Sequence, residues 1–578
     1  MPRRPRPEGA MHVVTNRRAG KGREYVTHLL RRSYREGGKV KKETLANLSH
    51  LPDELIELIR RSLRGERFLP AGEAVRVVRS RPHGHVQALL AVARSLGFPR
   101  LLDRAPSKER SLVLAMVIQR VLEPGSKLAC ARALAQSTLA EELAIEGADA
   151  DDLYGALDWL LARQGRIEER LARRHLEGGT LVLYDVTSSY FEGRSCPLAR
   201  RGYSRDRRRG SVQVVYGLLL DRQGRPIAVE VFDGSVHDDK TLLAQVEKLR
   251  RRFKLKTVVL ALDRGMVTEA NLAALRAEEE IAWISALKAP AVKRLVKEGQ
   301  LQLSLFDQLS LAEIESVDYP GERLLVCRNP LVAEDRTRTR GELLAATERL
   351  LAPIAERVKG GTLRGKAEIG LAVGQAANRF KVKKHFEFAI EDERFAYRRK
   401  EAQIAEEAAL DGIYVLRTSV PIEELSAPDV VRSYKALAEA ERAFRTLKGP
   451  ELEIRPIHHR LEERVRAHVF LCMLAYYLEW HLRRAWAELT FEDEAPPIAA
   501  DPVAKAERSP EAKRKASRKR TAAGQPCHSF RSLLRELALV MRNTVELAGT
   551  GASFATATEP GPLQTRALEL AGVAQKPL

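Results

Sequence analysis

The residues of this 578-residue chain best suited to chemistry are three carboxylates, Asp185, Asp263 and Glu441. Asp185 lies inside the apolar, β-prone run TLVLYDVTSSYF, and Asp263 follows the apolar run VVLAL. A charge on a buried strand is costly unless it is paired or bound to a metal. Two strands and a helix that deliver three acids suit phosphoryl transfer, in which carboxylates hold two divalent ions. Oxygen ligands favour Mg²⁺ or Mn²⁺.

Each acid also has a simpler explanation when it is considered alone. Asp185 could cap a strand end or pair with an arginine, Asp263 could form a turn, and Glu441 could be a solvated helix residue. The segment YKALAEAERAFRTLK is helix-like throughout, and at about 100° per residue it places Tyr434, Arg445 and Lys448 on the face of Glu441. This combination of an acid, two cations and a phenol favours a site that binds a polyanion.

A second group of cations lies between the first two predicted strands, beside Asp185. A basic loop is often merely solvated, but its position near a candidate catalytic acid favours contacts with DNA phosphates. The predicted DNA-binding residues are Tyr434, Arg445, Lys448, Arg205, Arg207, Arg208 and Arg209.

Composition points to the same class of partner. The chain has 98 Lys and Arg against 77 Asp and Glu, a net charge of +21, which indicates a polyanion such as nucleic acid. Its five cysteines are far apart and form no CxxC pair, which fits a reducing compartment. No apolar run reaches the roughly 18 residues of a membrane helix, and the basic N-terminus lacks the apolar stretch of a secretory signal. We therefore expect a cytoplasmic protein that does not bind membranes.

The elements that must position the acids follow an α/β pattern. Three strands in a meander, then helix, strand, helix and strand, are predicted between residues 180 and 287. Helical periodicity dominates residues 84–175, and a hairpin around Gly37-Gly38 and a helix near Pro52–Leu63 precede it. The predicted divisions are a basic hairpin and helix module (1–80), a helical DNA-binding region (81–178), a catalytic core (179–289 and 411–490), an inserted subdomain (290–410), a basic linker (491–528) and a C-terminal helical tail (529–578).

Several other patterns imitate functional sites. The run GGTLRGK ending at Lys366 resembles a phosphate-binding loop but lacks the following Ser or Thr, so we expect no nucleotide cofactor. His468 and Cys472 have the spacing of metal ligands on a helix, but their apolar surroundings predict a core position. Asp238 and Asp239 precede a helix and are interpreted as caps.

These motifs resemble the DDE transposases of bacterial insertion sequences, and most closely the IS-four superfamily. The family signature near the third acid is Tyr, two residues, Arg, three residues, Glu, six residues, Lys. Tyr434, Glu441 and Lys448 match it in type and spacing, whereas Leu437 replaces the Arg. We expect Leu437 to pack in the apolar stripe and hypothesise that Arg445 supplies the missing cation. Further matching stretches are YDVTSSYFEG, GLLLDRQGRPIAVEVFDGSVHDDKTL, ALDRGM and DGIYVLRT.

The resemblance implies a fold and an activity. The expected fold is an RNase H-like mixed sheet flanked by helices, interrupted by an inserted subdomain and preceded by a mainly helical N-terminal DNA-binding region. The expected enzyme binds the terminal inverted repeats of its element, cleaves the DNA ends and joins them to target DNA with two Mg²⁺ or Mn²⁺ ions. A homodimer on double-stranded DNA and a location at the bacterial nucleoid are also implied. Two alternatives stay open: a metal-dependent DNA nuclease with the same core, and a catalytically inactive DNA-binding relic.

Overall fold

The computed structural model describes residues 9–20, 23–66, 68, 74–177, 179–193, 195–208, 210–278, 280–307, 309–548 and 550–574. The chain divides into two compact units. The first contains the described residues up to Ser80 together with Asn543–Thr556, and the second contains Arg81–Arg542 and the described residues from Ala557 onwards. Among the described residues, no helix is both long enough and apolar enough to cross a membrane.

Sixteen strands are assigned in the described residues. They are β1 Ala10–Gly20, β2 Arg23–Glu36, β3 Lys39–Asn47, β4 Val75–Pro82, β5 Thr180–Tyr190, β6 Gln213–Asp221, β7 Pro226–Phe232, β8 Val258–Leu262, β9 Ile281–Ala286, β10 Leu311–Ile314, β11 Arg323–Arg328, β12 Phe386–Ile390, β13 Phe395–Arg399, β14 Ile413–Thr418, β15 Met541–Leu547 and β16 Ser553–Ala557.

Twenty α-helices are assigned in the same residues. They are α1 Asp53–Leu63, α2 Gly84–Ser95, α3 Phe98–Leu102, α4 Lys108–Leu122, α5 Lys127–Gln136, α6 Leu139–Glu142, α7 Ala150–Leu161, α8 Gln164–His175, α9 Leu242–Glu247, α10 Glu269–Arg276, α11 Ala289–Lys297, α12 Pro330–Lys359, α13 Lys366–Asn378, α14 Glu401–Ala408, α15 Ala427–Lys435, α16 Leu437–Lys448, α17 Glu462–Ala485, α18 Pro510–Arg518, α19 Phe530–Ala538 and α20 Pro562–Leu570.

The first unit is built mainly from β-structure. Strands β1, β2 and β3 form an antiparallel sheet, and the predicted hairpin joins β2 to β3 through Gly37 and Gly38. Both glycines have positive φ, 58° and 79°, which a two-residue hairpin turn requires. A second sheet has the order β16-β15-β4. Residues 1–80 were predicted as a hairpin and helix module, and the structure adds strand β1 to the hairpin. The C-terminal region expected to be helical contains two strands.

The second unit is organised around an eight-stranded mixed sheet with the order β10-β11-β14-β9-β8-β5-β6-β7. Strands β5, β6 and β7 form an antiparallel meander, and β8 and β9 run parallel to β5. Every residue of β6 and β8 is buried, as is typical of strands covered on both faces. The predicted mixed sheet flanked by helices is confirmed.

Helices account for the regular structure of residues 84–175, as the periodicity predicted. Helices α4, α7 and α17 pack against one another, and α17 also packs on β7. Helix α17 is buried along most of its length, including His468 and Cys472, so the predicted core position of this pair is confirmed.

The segment 290–410 contributes to the main sheet before it forms a subdomain. Strands β10 and β11 extend the sheet beyond β14. Helices α12 and α13 and the hairpin β12–β13 then enclose a separate apolar cluster that includes Leu351, Ile369 and Phe386. The region expected to be a basic linker is also packed, because Val503 and Lys515 are buried in it.

Candidate active site

Two of the candidate acids lie side by side on adjacent strands. The parallel register of β5 and β8 pairs Tyr184 with Leu262, so Asp185 and Asp263 are the next residues along each strand. In-register neighbours on parallel strands point to the same face of a sheet. The N–H of Val186 donates to Asp185 Oδ1 at 2.7 Å, which fixes one oxygen of this carboxylate.

The third acid faces the same space from α16. A cavity of about 740 Å³ is lined by Asp185, Asp263, Glu441 and Tyr434. Residues of the inserted segment, including Arg336 on α12, line it as well. The structure thus brings together the three predicted acids and the signature tyrosine, which are far apart in sequence.

Burial is the main influence on the titratable groups of the cavity. Burial raises the pKa of Asp185 to about 7, and the nearby carboxylate of Asp263 also raises it. Burial likewise raises the pKa of Tyr434 to about 12, with further contributions from Asp263 and Glu441. Besides the three acids, the cavity is lined by four cations, Arg205, Arg264, Arg336 and Lys435.

The helix that carries Glu441 differs from the prediction in one respect. The segment was expected to be one helix, but it is divided into α15 and α16 at Ala436. Leu437 is partly buried against the main apolar core, as expected, and it also lines the cavity. The apolar stripe of α16 is formed by buried residues such as Phe444 and Leu447. Helix α16 packs against β5.

Lys448 is paired within the protein. Its ammonium donates to Asp206 Oδ1 at 2.9 Å and to the carbonyl of Ser188 on β5 at 2.5 Å. The side chain of Asp206 is only 2% exposed, and Arg455 also pairs with it. Burial lowers the pKa of Lys448, and the charge of Asp206 opposes this effect. Lys448 therefore fastens the loop around Asp206 to the end of β5.

The predicted arginines occupy different surroundings. Arg205 lines the cavity and pairs with Asp238. Arg208 lies over the ring of Tyr190 at 3.8 Å, close to the surface. The described residues that line the cavity do not include Arg207, Arg208, Arg445 or Lys448. Arg209 lies outside the described residues.

Two acids in this region were not recognised from sequence. Asp238 was interpreted as a cap, but it begins a short 3₁₀ turn and its carboxylate pairs with Arg205. Its charge also raises the pKa of Asp185. Asp206 lies in the basic loop and pairs with Lys448 and Arg455. The partners of both lie far away in the chain, so no local pattern reveals either role.

The donor set partly fits a divalent cation. Among the described residues, no three of histidine, cysteine, aspartate and glutamate lie close enough together to hold one ion. Asp185 and Asp263 nevertheless present neighbouring carboxylates, and burial together with the charge of Asp263 raises the pKa of Asp185 to about 7. Hard oxygen donors of this kind suit Mg²⁺ or Mn²⁺.

Comparison with known proteins assigns the family. The family model described as transposase DDE domain matches residues 177–478, and the N-terminal domain of IS1634 family transposases matches residues 11–74. No curated protein sequence matches the chain. Among solved structures, a piggyBac transposase synaptic complex with hairpin DNA is similar at 9% identity and a TM-score of 0.33, over 78% of this chain and 76% of that one. Because the match to the transposase DDE domain spans more than half of this chain, the chain belongs to the family of DDE-domain transposases.

Proposed function

We propose that this DNA transposase cleaves the ends of its own insertion sequence and joins them to target DNA at the cavity lined by Asp185, Asp263 and Glu441. The observation that carries the proposal is that these acids, from β5, β8 and α16, face one cavity together with Tyr434. Membership of the IS-four superfamily is part of the proposal, supported by Tyr434, Glu441 and Lys448 at the signature spacing.

Asp185, Asp263 and Glu441 would hold two Mg²⁺ or Mn²⁺ ions. Bound divalent ions would stabilise the charge that develops on the attacking and leaving oxygens of an in-line phosphodiester exchange. Tyr434 remains a neutral hydrogen-bond donor because its pKa is raised to about 12. Arg205 and Arg336 line the same cavity and supply positive charge for the DNA phosphates.

The helical region 81–178 is proposed to bind the transposon ends. Its support is a groove of about 1050 Å³ whose lining is rich in arginine. The arginines are Arg100, Arg104, Arg170, Arg173 and Arg174. A homodimer on double-stranded DNA, acting at the bacterial nucleoid, completes the proposal, since two ends must be joined to one target.

The proposal is tested with Asp185→Asn and a duplex that carries the inverted repeat flanking the reading frame. With Mg²⁺, the wild-type protein should nick the end and join it to a second duplex. Asp185→Asn should bind the end with unchanged affinity and lose both reactions. Loss of binding together with activity, or cleavage retained at the wild-type rate, would contradict the assignment of Asp185.

Strand joining separates the proposal from the nuclease alternative. Cleavage that never yields a joined product would favour a nuclease. The inactive-relic alternative predicts that the wild-type protein binds ends without cutting them under any divalent ion.

A further inference from the structure

A second cavity, of about 530 Å³, lies in the second unit, and its lining includes five lysine and arginine side chains. Its walls include Arg120 on α4, Lys127 at the start of α5, Arg460, and Arg464 on α17. Glu453 is the one carboxylate among the described lining residues. The three acids of the active site do not line it.

Lys127 is buried in this cavity without a counter-ion. Its residue is only 4% exposed, yet among the described residues no group forms an ion pair or hydrogen bond with its ammonium. Burial lowers the pKa of Lys127 to about 8, and the positive charge of Arg120 lowers it further. The start of a helix carries partial positive charge, which also disfavours a cation. Burial, the charge of Arg120 and the helix start therefore all disfavour the positive charge of Lys127. A bound anion would offset these three effects.

Other donors face the same space. The guanidinium of Arg464 lies 4.6 Å from the ring centre of Tyr154, and its buried Nε has no hydrogen-bond partner among the described residues. Asp158 forms an ion pair with the guanidinium of Arg464, with 3.6 Å between Oδ2 and Nη2. Arg120 is held by two backbone carbonyls, which orient its charge without neutralising it.

The first turn of α5 adds backbone donors. The Ser126 side chain accepts from the N–H of Ala129 at 3.1 Å and caps the helix. The N–H of Lys127, which lines the cavity, has no partner among the described residues. A free amide at a helix start, together with a buried lysine and an arginine, is suited to an oxyanion.

We propose that this cavity binds a phosphate group, carried either by the DNA backbone or by a free phosphate in solution. The DNA source rests on the proposed function, because a transposase must hold DNA phosphates away from the cleaved bond. Arg455 lines this cavity and pairs with Asp206, which also pairs with Lys448. Through Arg455 and Asp206, the proposed phosphate cavity is therefore in contact with the loop that carries Arg205.

The first measurement is thermal unfolding in EDTA, in potassium phosphate and in potassium chloride of equal ionic strength. Phosphate should raise the Tm of the wild-type protein more than that of Lys127→Met. In chloride alone, Lys127→Met should be at least as stable as wild type, since it removes a buried unpaired charge. Lys359→Met is the matched control, because it removes the same charge from an exposed lysine. Equal phosphate effects on wild type and Lys127→Met would overturn the proposal.

The second measurement is the affinity for a short fluorescent duplex as a function of salt, again in EDTA. If the phosphate comes from DNA, Lys127→Met should bind about tenfold more weakly and reduce the slope of log K against log salt by about 0.9, whereas Lys359→Met should not. A phosphate-dependent Tm with an unchanged duplex slope would identify a free phosphate as the ligand. Arg464→Gln provides the same readouts if Lys127→Met does not fold. Neither measurement uses cleavage, so a failure here leaves the assignment of the catalytic acids untouched.

Discussion

Replacing Asp185 by Asn should stabilise the metal-free protein while it abolishes cleavage. The pKa of Asp185 is raised from 3.8 to about 7, chiefly by burial. A carboxyl whose pKa is higher in the folded state costs stability once it ionises, so the cost grows as the pH rises from 3.8 to about 7 and is constant above. The difference between these pKa values corresponds to about 4 kcal/mol at pH 8 and about 1.5 kcal/mol at pH 5.

The assay is thermal unfolding of wild type and Asp185→Asn in EDTA at pH 5 and pH 8. With an unfolding entropy of about 2.1 cal/mol/K per residue, a unit of several hundred residues gains about 1 °C in Tm per kcal/mol of added stability. The Tm of Asp185→Asn should therefore exceed that of wild type by about 4 °C at pH 8. The exposed Asp335→Asn controls for the loss of one negative charge. A gain that is the same at both pH values, or a loss of stability at pH 8, would refute the reasoning from burial.

Three further predictions concern groups around the site and the insertion. Lys448→Met should lower the Tm and slow cleavage, since it frees the loop that its ion pair fastens to β5; unchanged cleavage would show that the pair has no positioning role. Arg340→Met should cost about 3–5 kcal/mol of stability because it leaves the buried carboxylate of Asp411 unpaired, whereas Arg338→Met, on an exposed pair, should cost less than about 1 kcal/mol. Equal losses in urea unfolding would contradict this. Tyr434→Phe should slow cleavage by a factor that is constant from pH 7 to pH 9, since the tyrosine pKa is raised to about 12; a factor that changes over that range would indicate an ionised phenol.

The parts of the fold that sequence predicted are those with strong local patterns. The apolar runs around Asp185 and Asp263 are long enough to identify buried strands, and the glycine pair at 37–38 fixes a hairpin. Strands β1 and β15 were missed because their sequences are rich in polar and charged residues. Strand β15 also belongs to a sheet with β4, whose residues are more than four hundred positions away.

For the candidate site, the sequence predicted the residues but not all of their contacts. Residue type and spacing identified the three acids and Tyr434, which the structure brings to one cavity. Spacing on a helix could not show that Lys448 forms an ion pair with Asp206, nor that Asp238 pairs with Arg205. Those contacts depend on the tertiary arrangement of loops, which local periodicity does not encode.

The extension of the main sheet by β10 and β11 makes the inserted segment difficult to remove. Strand β14 leads directly to the helices that carry Tyr434 and Glu441, and β11 covers its outer edge. A shortened protein that lacked residues 290–410 would expose the backbone of β14 as an open edge, which invites pairing with other chains. A minimal transposase derived from this chain should therefore keep β10, β11 and the start of α12 with Arg336, and be trimmed only farther along, within the separately packed part.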